Sequence, residues 1–176
     1  MKKKIVLGIC GSVAAVETVK IIRELKRNGI EVECVMSNAA KKILHPYVLE
    51  WASGNPVIEK ISGKVEHVRL CGLNGEASLL LICPCTSNTI SKIANGIDDT
   101  PVTTFAATAL GSGIPIVIAP AMHYSMYNNP FVKENIKKLE KAGVKIIKPK
   151  IEEGKAKLPE KEEIVKVVIN AIKSSK

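Results

Sequence analysis

Apolar and polar positions along this chain change period every ten to fifteen residues or so. Lys4 to Cys10 is a short aliphatic run that ends at Gly11-Ser12. From Ala14 to Asn28 the apolar residues Val16, Val19, Ile22 and Leu25 recur at helical spacing, and Gly29 stops the pattern. Ile30 to Met36 reads as a second strand, Leu79 to Cys83 as a third, Ile114 to Ala119 as a fourth and Val144 to Ile147 as the last clear one. Helical patterns lie between or after them, over Ser87 to Asn95, Thr100 to Ala109, Pro130 to Ala142 and Lys161 to Lys173.

Near-continuous aliphatic strands separated by helices imply a parallel sheet covered on both faces. The expected fold is therefore α/β: a single-domain, three-layer αβα, Rossmann-like (flavodoxin-like), doubly wound parallel sheet. One domain is expected over residues 1–176, with its core at 4–150 and a terminal segment and helix at 150–176. Ligands of such folds bind outside the carboxyl ends of the strands. The polar clusters fall there: Gly11-Ser12 after the first strand, Ser37-Asn38 after the second, Thr86 to Thr89 after the third, Met122-His123 after the fourth.

Composition narrows the functional classes. A chain of 176 residues that is 46% hydrophobic can bury one sizeable core. Its apolar runs stop at about eight residues, well short of the ~20 of a membrane-spanning helix. No signal peptide is apparent, and a cytoplasmic protein without membrane attachment is expected. The formal charge of +9 raises the question of nucleic acid. However, the 13 lysines between Lys133 and Lys176 are interleaved with 7 glutamates, the pattern of a solvated helix face. Aromatic residues make up only 3%, too few for a base-stacking surface. No nucleic-acid partner is expected, and the basic excess suits a phosphorylated small molecule.

The five cysteines, at 10, 34, 71, 83 and 85, sit at irregular spacing, mostly in strand-like segments. Cys83-Pro84-Cys85 lacks the spacing of a zinc knuckle and has no second Cys/His pair downstream, so no metal is expected. A disulfide closed around that proline would be strained. Gly11, Ser12 and the amides that open the first helix form a candidate anion site, since free N–H groups and the helix dipole both favour a phosphate. Taken singly, Thr86 and Ser87 read equally as helix N-caps. No G-x-G-x-x-G and no acidic residue suitably placed for a ribose are present, which disfavours a dinucleotide and leaves a mononucleotide such as FMN.

The motifs also resemble a known family. "PCTSNT" (84–89) is similar to the P-A-S-A-N-T motif of the homo-oligomeric flavin-containing cysteine decarboxylases, and "PAMHYSMY" (120–127) to their P-x-M-N-x-x-M-W. "GSVAA" (11–15), "GNPVI" (54–58), "HVRL" (67–70) and "KIANGIDDTPVTT" (92–104) follow that family's order and spacing. Within it, the resemblance is strongest to the branch acting on phosphopantothenoylcysteine in coenzyme A biosynthesis, and "EEGKAKLPEKEEIV" looks like the archaeal members of that branch.

The resemblance implies FMN held by Gly11, Ser12, Ser37, Ser87, Asn88, Thr89, Thr104, Ala121 and Met122, with Cys83 and Cys85 as packing residues. It implies a reaction in which the substrate's cysteine thiol is oxidised to a thioaldehyde by hydride transfer to FMN. This gives the carboxylate's electrons a sink, carbon dioxide leaves, and the resulting enethiol is reduced to 4′-phosphopantetheine. His67 is the implied base or proton shuttle. His123 stands where the family has an asparagine against the substrate carboxylate. The clamp cysteine that the family carries after its last strand is missing; the matching segment, 150–157, holds Lys155 and Lys157 as clamp candidates and Gly154 as a hinge. A homotrimer or homododecamer is implied, with Phe105 to Leu110 and Tyr124 to Tyr127 as candidate contacts. An FMN-binding electron carrier and a noncatalytic subunit of the same fold remain alternatives. A flavin prenyltransferase is a further one, although its arginine-rich motifs have no counterpart here.

Overall fold

The computed structural model describes residues 3–174, so the outermost two residues at each end of the expected domain lie outside the described region. In chain order, strand β1 (Lys3–Ile9) leads through a 3₁₀ turn (Val13–Glu17) into helix α1 (Thr18–Arg27), and β2 (Ile30–Met36) follows. Three short helices come next: α2 (Asn38–Lys41), α3 (Pro46–Ser53) and α4 (Glu66–Cys71). Then come β3 (Leu80–Cys85), α5 (Ser87–Ala94), α6 (Pro101–Ser112), β4 (Ile116–Pro120), β5 (Met122–His123), α7 (Tyr124–Tyr127) and α8 (Pro130–Lys141). The chain continues with β6 (Lys145–Ile146), β7 (Lys150–Glu152), β8 (Lys155–Lys157) and α9 (Lys161–Ser174).

Five strands form one parallel sheet in the order β2-β1-β3-β4-β6, the flavodoxin-like order expected from the sequence. Alternate strand residues serve opposite faces. Ile5, Leu7, Ile9, Leu81 and Cys83 pack with α1, α3 and α9 residues such as Ile22, Leu49 and Val168. Val6, Leu80 and Ile82, together with Cys10 just beyond β1 and Cys85 after a register shift in β3, pack with Ile90, Phe105 and Leu139 of α5, α6 and α8. Each fully buried aliphatic chain removes enough apolar area from water to contribute roughly 1.5–3 kcal/mol, which is why strands covered on both sides read as unbroken aliphatic runs.

Several expectations need correction. The helix anticipated from Ala14 begins as a 3₁₀ turn, with the Thr18 hydroxyl donating to the Ala15 carbonyl at 2.6 Å where the α-helix takes over. The 150–157 segment is an antiparallel hairpin of β7 and β8 that pairs with β5 in a second, three-stranded sheet. Of Phe105 to Leu110, named as candidate subunit contacts, Phe105, Ala106 and Ala109 lie in the core, leaving Ala107 and Leu110 exposed. Helices α3 and α4 were not anticipated. Among the described residues, no helix is long and apolar enough to cross a membrane.

Candidate active site

All four polar clusters lie at the carboxyl edge of the parallel sheet. β1 and β3 are neighbours whose chains leave for opposite faces, and this switch point opens a crevice. The cleft there, of about 690 Å³, brings together Gly11, Ser12, Thr86, Ala121, Met122 and His123 with the hairpin residues Lys155 and Lys157. Val13, Ala14, Ile43 and Met126 give it apolar walls. Val13, Ala14 and Met126 fall inside motifs quoted from the sequence, but only the fold shows them as cleft walls, and Ile43 had no sequence signal.

Local hydrogen bonds hold the edges of the cleft. Ser12 Oγ accepts from the Ala14 N–H at 3.4 Å, Ser37 Oγ from the Ala40 N–H at 3.2 Å, and Thr86 Oγ1 from the Thr89 N–H at 3.3 Å. All three are therefore N-caps. Thr86 also donates to the Thr89 hydroxyl at 3.2 Å. The N–H groups of Ser87 and Asn88, in the first turn of α5, have no intrahelical acceptor, and their side chains make no hydrogen bond among the described residues. They are open donors at a positive helix end.

Backbone bonds tie the remaining parts together. The Ala121 N–H donates to the Cys85 carbonyl at 3.0 Å, and the Tyr124 N–H to the Gly154 carbonyl at 2.9 Å, fastening the hairpin turn to α7. His123 pairs in register with Lys155, so both side chains leave the same region of the small sheet. Lys157 is held by Glu153 at 2.6 Å and Glu152 at 3.5 Å, whereas Lys155 forms no ion pair among the described residues.

Six expected site residues are not on the wall of this cleft: Ser37, Ser87, Asn88 and Thr89 lie at the starts of α2 and α5, and Thr104 and His67 lie elsewhere. Thr104 lines a different cleft with Asn38 and Lys41, and its hydroxyl donates to the carbonyls of Asp98 and Thr100, both at 2.9 Å. His67 sits on α4 with its ring edge-on to Phe105 at 6.4 Å between centroids, and it is absent from the wall of the main cleft. Its Nδ1 is buried without any hydrogen-bond partner. Such an atom costs stability unless something else pairs with it. Beside it, the Glu66 carboxylate accepts from the hydroxyl and the N–H of Ser62, which lowers its pKa to about 2.

The cysteines are all free and buried. Burial pushes the Cys34 and Cys71 thiols up to about 12, and those of Cys83 and Cys85 well above their ordinary value. A thiol held protonated in this way is packing material, not a nucleophile. This matches the packing role expected for Cys83 and Cys85.

A flavodoxin-like sheet with an apolar-walled cleft at its switch point, beside the start of a helix whose first amides are open, defines a mononucleotide-binding α/β protein. The chain belongs to the flavoprotein family, whose profile matches residues 1–173. It is 60% identical over 171 residues to the coenzyme A biosynthesis bifunctional protein CoaBC of Thermococcus kodakarensis, an alignment that covers 97% of this chain and 42% of that protein. The chain thus spans less than half the length of that relative. It is 37% identical to a probable phosphopantothenoylcysteine decarboxylase of Streptococcus mutans, across 85% of this chain and 84% of the relative. The crystal structure of the FMN-dependent cysteine decarboxylase SpaF is 29% identical, covers 97% of each chain and superposes with a TM-score of 0.82.

Proposed function

We propose that this chain is an FMN-dependent carboxy-lyase that converts 4′-phosphopantothenoylcysteine to 4′-phosphopantetheine, releasing carbon dioxide. The observation that carries this reading is the meeting of Gly11-Ser12, Thr86, Ala121 to His123 and the lysine-bearing hairpin in one cleft at the β1/β3 switch point. Support comes from the relatives named for coenzyme A biosynthesis and for phosphopantothenoylcysteine decarboxylation.

The residues present fit FMN. The cleft volume is within the ~300–1,000 Å³ usual for cofactor sites, its apolar walls suit a flat aromatic ring, and the open α5 amides suit a polar or anionic group. Gly11, Ser12, Ser87, Asn88, Ala121 and Met122 would contact it. Ser37 and Thr89 act by capping α2 and bracing Thr86, and Thr104 contributes from the neighbouring cleft only if the ligand extends there. When bound, FMN supplies a recyclable two-electron acceptor for the substrate's thiol carbon. The chain's own work is to position the substrate and move its protons. His123 donates an N–H to the substrate carboxylate, and a neutral donor there does not oppose the loss of charge as carbon dioxide forms. Lys155 places a cation at the mouth of the same site.

His67 is the proton shuttle in this reading, and its absence from the cleft wall of its own chain favours a site shared between copies. A homo-oligomer, trimeric or dodecameric, brings one copy's His67 to its neighbour's cleft, with exposed Leu110, Tyr124 and Met126 available as contacts. The deciding experiment is incubation of purified protein and FMN with 4′-phosphopantothenoylcysteine. Release of one carbon dioxide per phosphopantetheine supports the proposal; flavin binding without turnover refutes it in favour of the other flavin-binding readings.

A further inference from the structure

The main cleft does not end at its apolar wall. Glu17 and Leu158 line it and also line a second cavity of about 300 Å³, which continues under the start of α9. The two cavities therefore adjoin at Glu17 and Leu158. The second is polar: Ile21 and Leu158 form its apolar part, and Lys20, Lys161, Glu17 and Glu160 supply its charges.

Its two cations are held only by local partners. Lys20 Nζ lies 3.0 Å from Glu17 one turn earlier, with both side chains largely exposed, and Lys161 pairs with the adjacent Glu162. Glu160 is drawn away by Lys150 at 2.9 Å. Exposed pairs of this kind are weak, since water competes for both charges. A dianion entering the cavity competes with Glu17 and Glu162 for these lysines and offers both a charge-assisted contact at once. The lobe beyond Glu17 is thus suited to the charged end of an extended ligand whose reacting end lies beside His123.

We infer that this second cavity is a phosphate subsite, with Lys20 and Lys161 as the residues that select a phosphorylated substrate arm. The inference rests on the proposed decarboxylase reading, because it takes the main cleft to hold the cysteinyl end of the same molecule. It also accounts for a division of labour among the lysines. Lys155 faces His123 at the reacting end, whereas Lys20 and Lys161 lie past Leu158.

The test is equilibrium binding of 4′-phosphopantothenate and of pantothenate to the FMN-loaded protein, measured by calorimetry. The expected result is that the phosphorylated compound binds at least tenfold more tightly, and that a Lys20→Met/Lys161→Met double variant loses this preference while binding pantothenate unchanged. Lys20 is exposed and Lys161 half-buried at the start of α9, and retained flavin absorbance verifies that the variant is folded. Equal affinity of the wild type for the two compounds overturns the inference. So does a double variant that keeps the preference, or a Lys137→Met control on α8 that loses it equally. Turnover is assayed separately: a protein that prefers the phosphorylated ligand but releases no carbon dioxide retains the subsite and refutes the decarboxylase reading alone.

Discussion

A Cβ atom placed on Gly11 would lie 2.5 Å from the Cβ of Ala39 and 3.1 Å from that residue's carbonyl carbon. The turn after β1 and the first turn of α2 approach so closely that only a hydrogen fits between them. The contact brings the first two polar clusters together at the sheet edge. Gly11→Ala is expected to destabilise the fold by about 1–3 kcal/mol through overpacking and to weaken FMN binding. Thermal unfolding and flavin titration check both effects; an unchanged melting temperature contradicts the close approach.

His67 carries a buried, unpartnered Nδ1 outside its own chain's cleft. His67→Asn is expected to retain FMN and lose about 10²–10⁴-fold in kcat, the range for removing a general acid or base. Co-expressing His67→Asn with His123→Ala is expected to restore part of the activity, because mixed oligomers then contain some sites with both histidines intact. No restoration in verified mixed oligomers means that each site is built from one chain.

His123 is exposed at the start of α7 and makes no capping bond. His123→Asn keeps an N–H donor for the substrate carboxylate and is expected to retain most activity, whereas His123→Ala is expected to lose roughly tenfold or more while still binding FMN. An alanine variant with wild-type turnover across pH would remove His123 from the carboxylate site.

The Glu66 carboxylate, held near pKa 2 by Ser62, anchors the entry to α4 and hence the placement of His67. Since the folded value is depressed, its stabilisation is present above the usual carboxylate range and is lost as pH falls from about 4.5 toward 2. Ser62→Ala should make the melting temperature fall less steeply in that window. A wild type and variant with parallel acid profiles would show that the bond carries no stability.

The hairpin contains no cysteine, and Lys155 pairs in register with His123. The expected product is fully reduced phosphopantetheine, with Lys155→Met shifting the products toward the species two hydrogens lighter. Mass analysis decides: the lighter species from wild type means that this chain does not complete the reduction.

Five strands, their parallel pairing and the edge where the polar clusters meet were all legible from the chain. A strand buried on both faces must be aliphatic throughout, and the helices between strands must show a 3.6-residue period, so periodicity alone sets the layers. Helix α3 was missed, although His45-Pro46 and Gly54 mark its two ends, because it buries Leu49 and Ala52 but leaves Tyr47 and Trp51 exposed, so its apolar residues form no one-sided stripe. Helix α4 is preceded by Val65 with φ of 45°, a left-handed conformation that a valine does not signal.

Residue chemistry was likewise visible locally, as donors at helix starts and as histidines in motifs. Which of them share a cleft was decided by the tertiary fold. His123 meets Lys155 only because β5 and β8 pair across more than thirty residues of chain, and Glu17 meets Leu158 only because α9 returns over α1. Such contacts depend on how the layers close around a shared core, and no local period along the chain encodes them. The same closure keeps His67 out of its own chain's cleft.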